Sequence, residues 1–319
     1  MDAGNPPQHV AGGTENLLPM PRGLPPVLSS PISYDSRTIN LTRHTQSTSP
    51  PEFRVVHGDP VKVALDYGKS GIRVPFICAA NRRGPGLRHN DQRPTYEKDF
   101  CDRSNLYDTL TRTRSGMDGT PLYPIPTTGG IFSDRVAVYL GLREDNYKSL
   151  DPIPDLPVVS VSPVRNPRVK VNGSLYSYCT DESTMREKIC GALRICLHNN
   201  YDRAVIGDFG LGDGFHNPPQ VVAETWRNLL LFDPDLCGQF ESVDFAFVDP
   251  MQSTTQVFWD KKEKINEGNR ADHAAKEGTF PSTQGESLSS RRAPTDMAIF
   301  ESVFHPDEIK RVREVAAST

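Results

Sequence analysis

Short apolar runs alternate along the chain with stripes of apolar residues spaced by four, which predicts strands and helices in turn. Phe53–His57 reads as a first strand. Pro75–Asn81 is a stronger one, an apolar run stopped by turn residues. Thr95–Arg112 reads as a helix capped by Thr95, with Phe100, Leu106 and Leu110 along one side. Gly129–Asp134 and Val136–Leu140 read as a strand pair or as one strand with a break, and Pro157–Ser162 as another short strand. Asp181–Asn199 has acidic residues in its first turn and Met185, Ile189, Leu193 and Leu197 at every fourth position, the pattern of an amphipathic helix. Arg203–Phe209 then reads as a buried strand, Gly210–Asn217 as a glycine-rich turn, Pro218–Leu231 as a helix and Ser242–Val248 as a strand. Strand, turn, helix and strand of these lengths make a βαβ unit, which implies a parallel sheet and an α/β fold.

The flanks lack this periodicity. Residues 1–52 are rich in Pro, Ser and Thr and predict a disordered or loosely docked leader. The folded domain is then expected at 53–258, followed by a flexible linker at 259–295, charged at first and then rich in Ser, Gly and Pro. The last part, 296–319, is expected to hold a short helix, His305–Val315, with Pro306 in its first turn and Ile309, Val312 and Val315 as a docking stripe.

Composition narrows the function classes. With 36% hydrophobic residues the chain can fill one sizeable core, and 28 Pro and 24 Gly assign part of it to loops. A formal charge of -4 supplies no pull toward nucleic acid or anionic membrane, so no sequence-specific nucleic-acid binding is expected. No apolar stretch approaches the roughly 18 residues of a membrane span. The chain opens without the basic and apolar regions of a secretory signal. Cys78, Cys101, Cys179, Cys190, Cys196 and Cys237 form no CxxC pair, so reduced, buried thiols in an intracellular (cytoplasmic or nuclear) protein are expected, with no metal and no cofactor.

The candidate chemistry centres on Ile206–Pro219. A glycine-rich turn that leaves a parallel strand and enters a helix lets a ligand approach the backbone and offers unpaired N–H groups at the positive end of the helix dipole. Such crevices at strand C-termini are where open α/β sheets bind ligands, and a phosphate or pyrophosphate suits this one. Asp208-Phe209-Gly210 spells the kinase DFG, but no HRD loop, VAIK lysine or glycine loop of a kinase accompanies it. The absence of GxxxxGK[ST] likewise excludes a Walker-type NTPase.

Five segments in order resemble the microbial type of poly(ADP-ribose) glycohydrolase, over roughly residues 53–256. They are Pro75–Gly86, Glu97–Tyr107, Gly130–Tyr139, Val158–Pro167 and Gly210–Pro219. The resemblance implies a macrodomain-like, three-layer α/β fold with a mixed, largely parallel sheet. It also implies a pocket for ADP-ribose, poly(ADP-ribose) or an ADP-ribosylated protein. Carried over by position, Gly210, Gly212, Gly214, Phe215 and Asn217 wrap the diphosphate and distal ribose, with Phe215 on the ribose. Gly86 and Gly207 join them as expected ligand-binding residues, and Asn81, at the end of a strand by the pocket mouth, reads as a ribose contact or a turn asparagine. Catalysis in the family rests on the second of two adjacent glutamates, acting at the glycosidic bond as carboxylates do in glycoside hydrolysis. Here the pair is Glu97-Lys98, and a charged ammonium cannot accept a proton. The family's triple glycine is also interrupted, as Gly84-Pro85-Gly86.

The resemblance therefore implies binding more strongly than turnover: an ADP-ribose-binding pseudoenzyme. The alternatives are an active ADP-ribosyl hydrolase using Glu97 and a scaffold with a vestigial pocket. By itself Glu97 reads equally as a ribose contact or as a solvated carboxylate at a helix start. Lys98 reads as a surface lysine before a phosphate contact. His216 is a loop histidine bonded to backbone before a proton shuttle, and Asp208 and Asp213 are turn-stabilising before ligand-contacting. Arg103 and Asn105 read as residues fixing the loop. Arg82-Arg83 and the positive charges of Arg88–Arg93 read as a solvated loop before a polyanion track.

Overall fold

The computed structural model describes residues 30–41, 49–86, 95–112, 121–170, 173–277 and 292–318. In chain order the elements begin with β1 (Ile32–Asp35), β2 (Glu52–His57), α1 (Pro60–Gly68), β3 (Phe76–Ala79), α2 (Tyr96–Arg103) and α3 (Leu106–Arg112). Next come β4 (Gly129–Ala137), β5 (Asp155–Val161), α4 (Cys179–His198), β6 (Arg203–Ile206), α5 (Gly212–Phe215) and α6 (Pro219–Phe232). The chain closes with β7 (Ser242–Phe247), α7 (Thr254–Glu277), α8 (Asp296–Val303) and α9 (Pro306–Ala317).

The strands form one seven-stranded sheet in the order β1-β4-β5-β3-β6-β7-β2. The run β5, β3, β6, β7, β2 is parallel throughout. The β4 strand is antiparallel to both its neighbours. Successive residues of the central strands point to opposite faces and into two separate cores. Ile77, Val159, Val161, Ala204, Ile206, Val243, Phe245 and Phe247 pack with the apolar faces of α4, α6 and α8. Phe76, Cys78, Val158, Val205 and Ala246 face the other way, with Val61 and Ala64 of α1, Phe100 of α2 and Leu106 of α3. Buried on both faces, these strands appear in the sequence as continuous apolar runs. This is the expected mixed, largely parallel three-layer α/β fold.

Several expected elements change form. The break in the segment 129–140 is an irregularity within one strand, a register shift between Ser133 and Val136. Thr95 caps a helix as expected, its hydroxyl accepting from the Lys98 N–H at 3.4 Å, but the helix stops at Arg103. Ser104 is extended there because its neighbour Asn105 pairs with the end of β4, accepting the Ala137 N–H at 2.9 Å through its side chain. Residues 1–29 and 42–48 of the leader lie outside the described residues. The rest of that segment is not loosely held: Ile32–Asp35 extends the sheet beside β4, and Ile39 is buried in the core.

The expected linker is corrected at its start, where residues 259–277 are helical and belong to α7. A charged sequence rich in helix formers continues a helix once its first turn is anchored, and here the Thr254 N–H donates to the Asp296 carboxylate at 2.9 Å. Residues 278–291 lie outside the described residues. The C-terminal part holds two helices. Phe300 on α8 and Phe304 at its C-terminal cap meet Phe245 with ring centroids 5.1 and 4.5 Å apart. Each such aromatic pair is worth about 0.5–1.5 kcal/mol beyond its burial. The α9 helix follows with Pro306 in its first turn, and of its stripe Ile309 is buried while Val315 is exposed. Cys78, Cys101 and Cys196 are buried as expected, but Cys179 is exposed at the start of α4, and Cys190 and Cys237 are half-buried. No described helix is long and apolar enough to cross a membrane.

Candidate functional site

The parallel strands β3, β6 and β7 end along one edge of the sheet. There Ala79, Asp208 and Asp249 line a cavity of about 420 Å³. The glycine turn forms one wall, through Leu211, Gly212, Gly214 and Phe215. Thr95 and Tyr96 at the start of α2 form another. The start of α7 and its approach add Met251, Gln252, Ser253, Gln256 and Val257, and the segment before α8 adds Arg292, Ala293 and Thr295.

The turn is built by two of the expected residues, which face away from the cavity. Gly210 has φ +80°, the left-handed region that strains any residue with a Cβ, and a Cβ there would also stand 2.6 Å from the Met185 methyl. Asn217 is fully buried and clasps the turn. Its side-chain amide donates to the Gly210 and Val164 carbonyls, both at 2.7 Å, and its oxygen accepts from the Tyr176 hydroxyl at 2.9 Å. Gly207 sits below, facing Pro60 and Phe76. Of the residues expected to bind ligand, Gly212, Gly214 and Phe215 line the cavity. Phe215 is buried, and the Arg165 guanidinium lies 5.6 Å from its ring centre. The Gly212 N–H is already engaged by the Thr254 hydroxyl at 2.7 Å.

Glu97 and Lys98 diverge because successive helical positions point about 100° apart. Glu97 shares the buried stripe of α2 with Phe100 and Cys101 and is itself buried. Its carboxylate accepts the N–H groups of Asn81, at 2.9 Å, and Gly86, so these two expected ligand residues hold the glutamate through their backbones. Burial pushes the Glu97 carboxyl up to about 8, against the pull of those two amides. Its other oxygen has no partner among the described residues. The solvated-carboxylate expectation is thus corrected: the stripe turns Glu97 inward, and it does not line the cavity. Lys98 is likewise not a free surface lysine. It pairs with Asp102 one turn on, and its stem lies against Gly86.

Arg103, His216, Asp208 and Arg82 have structural partners. Arg103 is buried in ion pairs with Asp59 at 2.9 Å and Asp99 at 2.7 Å, and the Tyr96 hydroxyl also donates to Asp59 at 2.8 Å. His216 bonds side chains rather than backbone alone: its ring bridges Asn166 and Lys261, each at 2.7 Å. Asp208 accepts from Gln252, and burial raises its pKa. Asp213 lies within α5. Arg82 contacts the Ile125 carbonyl and the Thr127 hydroxyl, both at 3.4 Å, while Arg88–Arg93 lie outside the described residues. Tyr96, Asp249, Gln252 and Arg292 carry no local sequence signature. Only the position of Asp249, just past a strand end, marked it for the crest of the sheet.

No family profile and no curated sequence matches the chain. Solved structures are similar to it. One is poly(ADP-ribose) glycohydrolase from Thermomonospora curvata, with TM-score 0.55 and 22% identity, covering 70% of this chain and 82% of that one. Another is poly(ADP-ribose) glycohydrolase from Deinococcus radiodurans in complex with ADP-ribose, with TM-score 0.50 and 21% identity, covering 69% and 87%. A third is the Thermomonospora curvata protein bound to the inhibitor ADP-HPD, with TM-score 0.50 and 22% identity, covering 66% and 79%. The chain has the macrodomain-like fold of these microbial glycohydrolases.

Proposed function

We propose that this protein binds ADP-ribose at the crest of its sheet and does not cleave the glycosidic bond by the carboxylate route. The observation that carries this reading is the glycine turn, held open by Asn217 and Gly210 and forming one wall of a cavity beside the ends of the parallel strands. That placement suits a diphosphate flanked by ribose groups. The similar structures crystallised with ADP-ribose or ADP-HPD support the ligand class. Against turnover stand the Lys98 ammonium, paired with Asp102, and a Glu97 carboxyl that is buried and does not line the cavity. Neither places a carboxylate on the cavity wall to shuttle a proton at an anomeric carbon.

Titration calorimetry with ADP-ribose is expected to give a one-to-one complex. Absence of heat at about 1 mM ligand, equivalent to less than about 4 kcal/mol of binding, overturns the reading. Release of ADP-ribose from a modified protein separates binding from cleavage, and the unaltered chain is expected to release none. Lys98→Glu restores the carboxylate and removes the ammonium, so it is expected to raise release above that background. An unchanged rate in that variant assigns the loss to the Gly84–Gly86 loop instead.

A further inference from the structure

The cavity has an electrostatic deficit for the ligand proposed above. Its walls carry the carboxylates of Asp208 and Asp249, whereas a diphosphate brings two negative charges. Among the described residues that line it, Arg292 is the one cationic side chain. It lies beyond the span of the sequence resemblance, in the segment that returns to the site after α7.

That segment is fixed where it passes the cavity. The Ala293 N–H donates to the Gln256 side chain at 3.0 Å, and the Ser253 hydroxyl donates to the Pro294 carbonyl at 2.8 Å. Asp296 is fully buried, and its carboxylate accepts from the Thr254 N–H at 2.9 Å, the Thr254 hydroxyl at 2.6 Å and the Gln252 amide at 3.0 Å. Thr254 in turn accepts the Gly212 N–H of the glycine turn. A continuous hydrogen-bonded chain therefore runs from the glycine turn to the backbone that presents Arg292. The docking of α8 on the core anchors its far end.

We propose that Arg292 is the anion-binding residue of this site, presented by the Asp296-anchored C-terminal segment to the diphosphate of ADP-ribose. This rests on the ADP-ribose reading. A guanidinium offers a planar fork of donors matched to phosphate oxygens, and a fixed backbone lowers the cost of placing it there. The C-terminal helices are then part of the binding site rather than an appendage to it.

The test uses the full chain, with calorimetry against ADP-ribose and thermal unfolding of each variant. Arg292 is exposed, so its variants are expected to melt with the unaltered protein. Arg292→Glu is expected to weaken ADP-ribose binding by about tenfold or more, the size of a lost charge-assisted bond to phosphate. Arg292→Lys, which keeps the charge without the fork, is expected to fall between the two. The salt dependence of binding is expected to flatten in Arg292→Ala. Binding by Arg292→Glu within about twofold of the unaltered protein, the scale of a screened surface charge, overturns this inference and leaves the ADP-ribose reading standing. Absence of binding by the unaltered chain overturns both.

Discussion

Glu97→Gln is expected to stabilise the protein at alkaline pH and to remove much of the fall in stability between mildly acidic and alkaline conditions. The sign follows from the direction of the shift. The Glu97 carboxyl is raised in the folded state to about 8 from an ordinary 4.5. Between those values the folded chain holds a proton that the unfolded chain has released, so stability falls as pH rises. The full stability is present below about pH 4.5, declines by up to roughly 1.4 kcal/mol per pH unit, and levels off above about pH 8. The loss is on the order of 5 kcal/mol, a large share of the total stability of an ordinary domain. Glutamine has the shape of the protonated carboxyl, can accept the same N–H groups of Asn81 and Gly86, and never ionises. Urea midpoints at about pH 5, 7 and 9 for both chains are the measurement. The two curves are expected to converge at low pH and separate at high pH; parallel curves would refute the burial argument. Asp296, raised by burial to about 6, slopes the same way in both chains and cancels in the comparison.

What the sequence disclosed and what it concealed divide along the range of the interactions involved. The strands β3, β5, β6 and β7 were legible because burial on both faces writes a continuous apolar run. The helix α4 was legible because Met185, Ile189 and Leu193 form one local stripe. The glycine turn was legible because strain in a backbone is recorded in the residues that carry it. By contrast, β1 is four half-buried residues at a sheet edge, with nothing apolar and continuous to see. The break after Arg103 comes from Asn105 pairing with β4, a contact some thirty residues away in the chain. Glu97 looked like an ordinary carboxylate in a helix's first turn, and it is buried because Phe100 and Cys101 set the inward stripe. Asp208, Gln252, Thr254 and Asp296 come together only once α8 has docked through its phenylalanines. Half of the site is thus assembled by contacts that no window of sequence contains. This is why the family pattern located the glycine wall and passed over the wall that carries Arg292.

Asn217→Ala is expected to disable the site and to cost about 4 kcal/mol of stability, the sum of several small terms at one buried position. Asn217 is placed where no water reaches, and it satisfies three groups at once: two carbonyls and the Tyr176 hydroxyl. Alanine removes all three bonds. The Val164 carbonyl and the Tyr176 hydroxyl lose the partner that Asn217 gives them, and each orphaned buried group costs about 1–3 kcal/mol. The turn then loses the side-chain clasp between its first residue and its last, keeping only the 3.2 Å bond from the residue 217 backbone N–H to the Gly210 carbonyl, so Gly212 and Phe215 are held less firmly on the cavity wall. Binding of ADP-ribose is therefore expected to fall with stability, by at least about tenfold. Asn217→Asp separates loss of the clasp from loss of volume. Its oxygen still receives the Tyr176 hydroxyl, but a carboxylate oxygen now faces two carbonyl oxygens where the amide donated. Burial and repulsion are both unfavourable there. The introduced carboxylate must take up a proton to fold, so this variant is expected to regain stability as pH falls, whereas Asn217→Ala is not. Chemical denaturation of the two variants across acidic to neutral pH makes the comparison. Equal stability of Asn217→Ala and the unaltered chain would show that the turn holds its shape without the clasp.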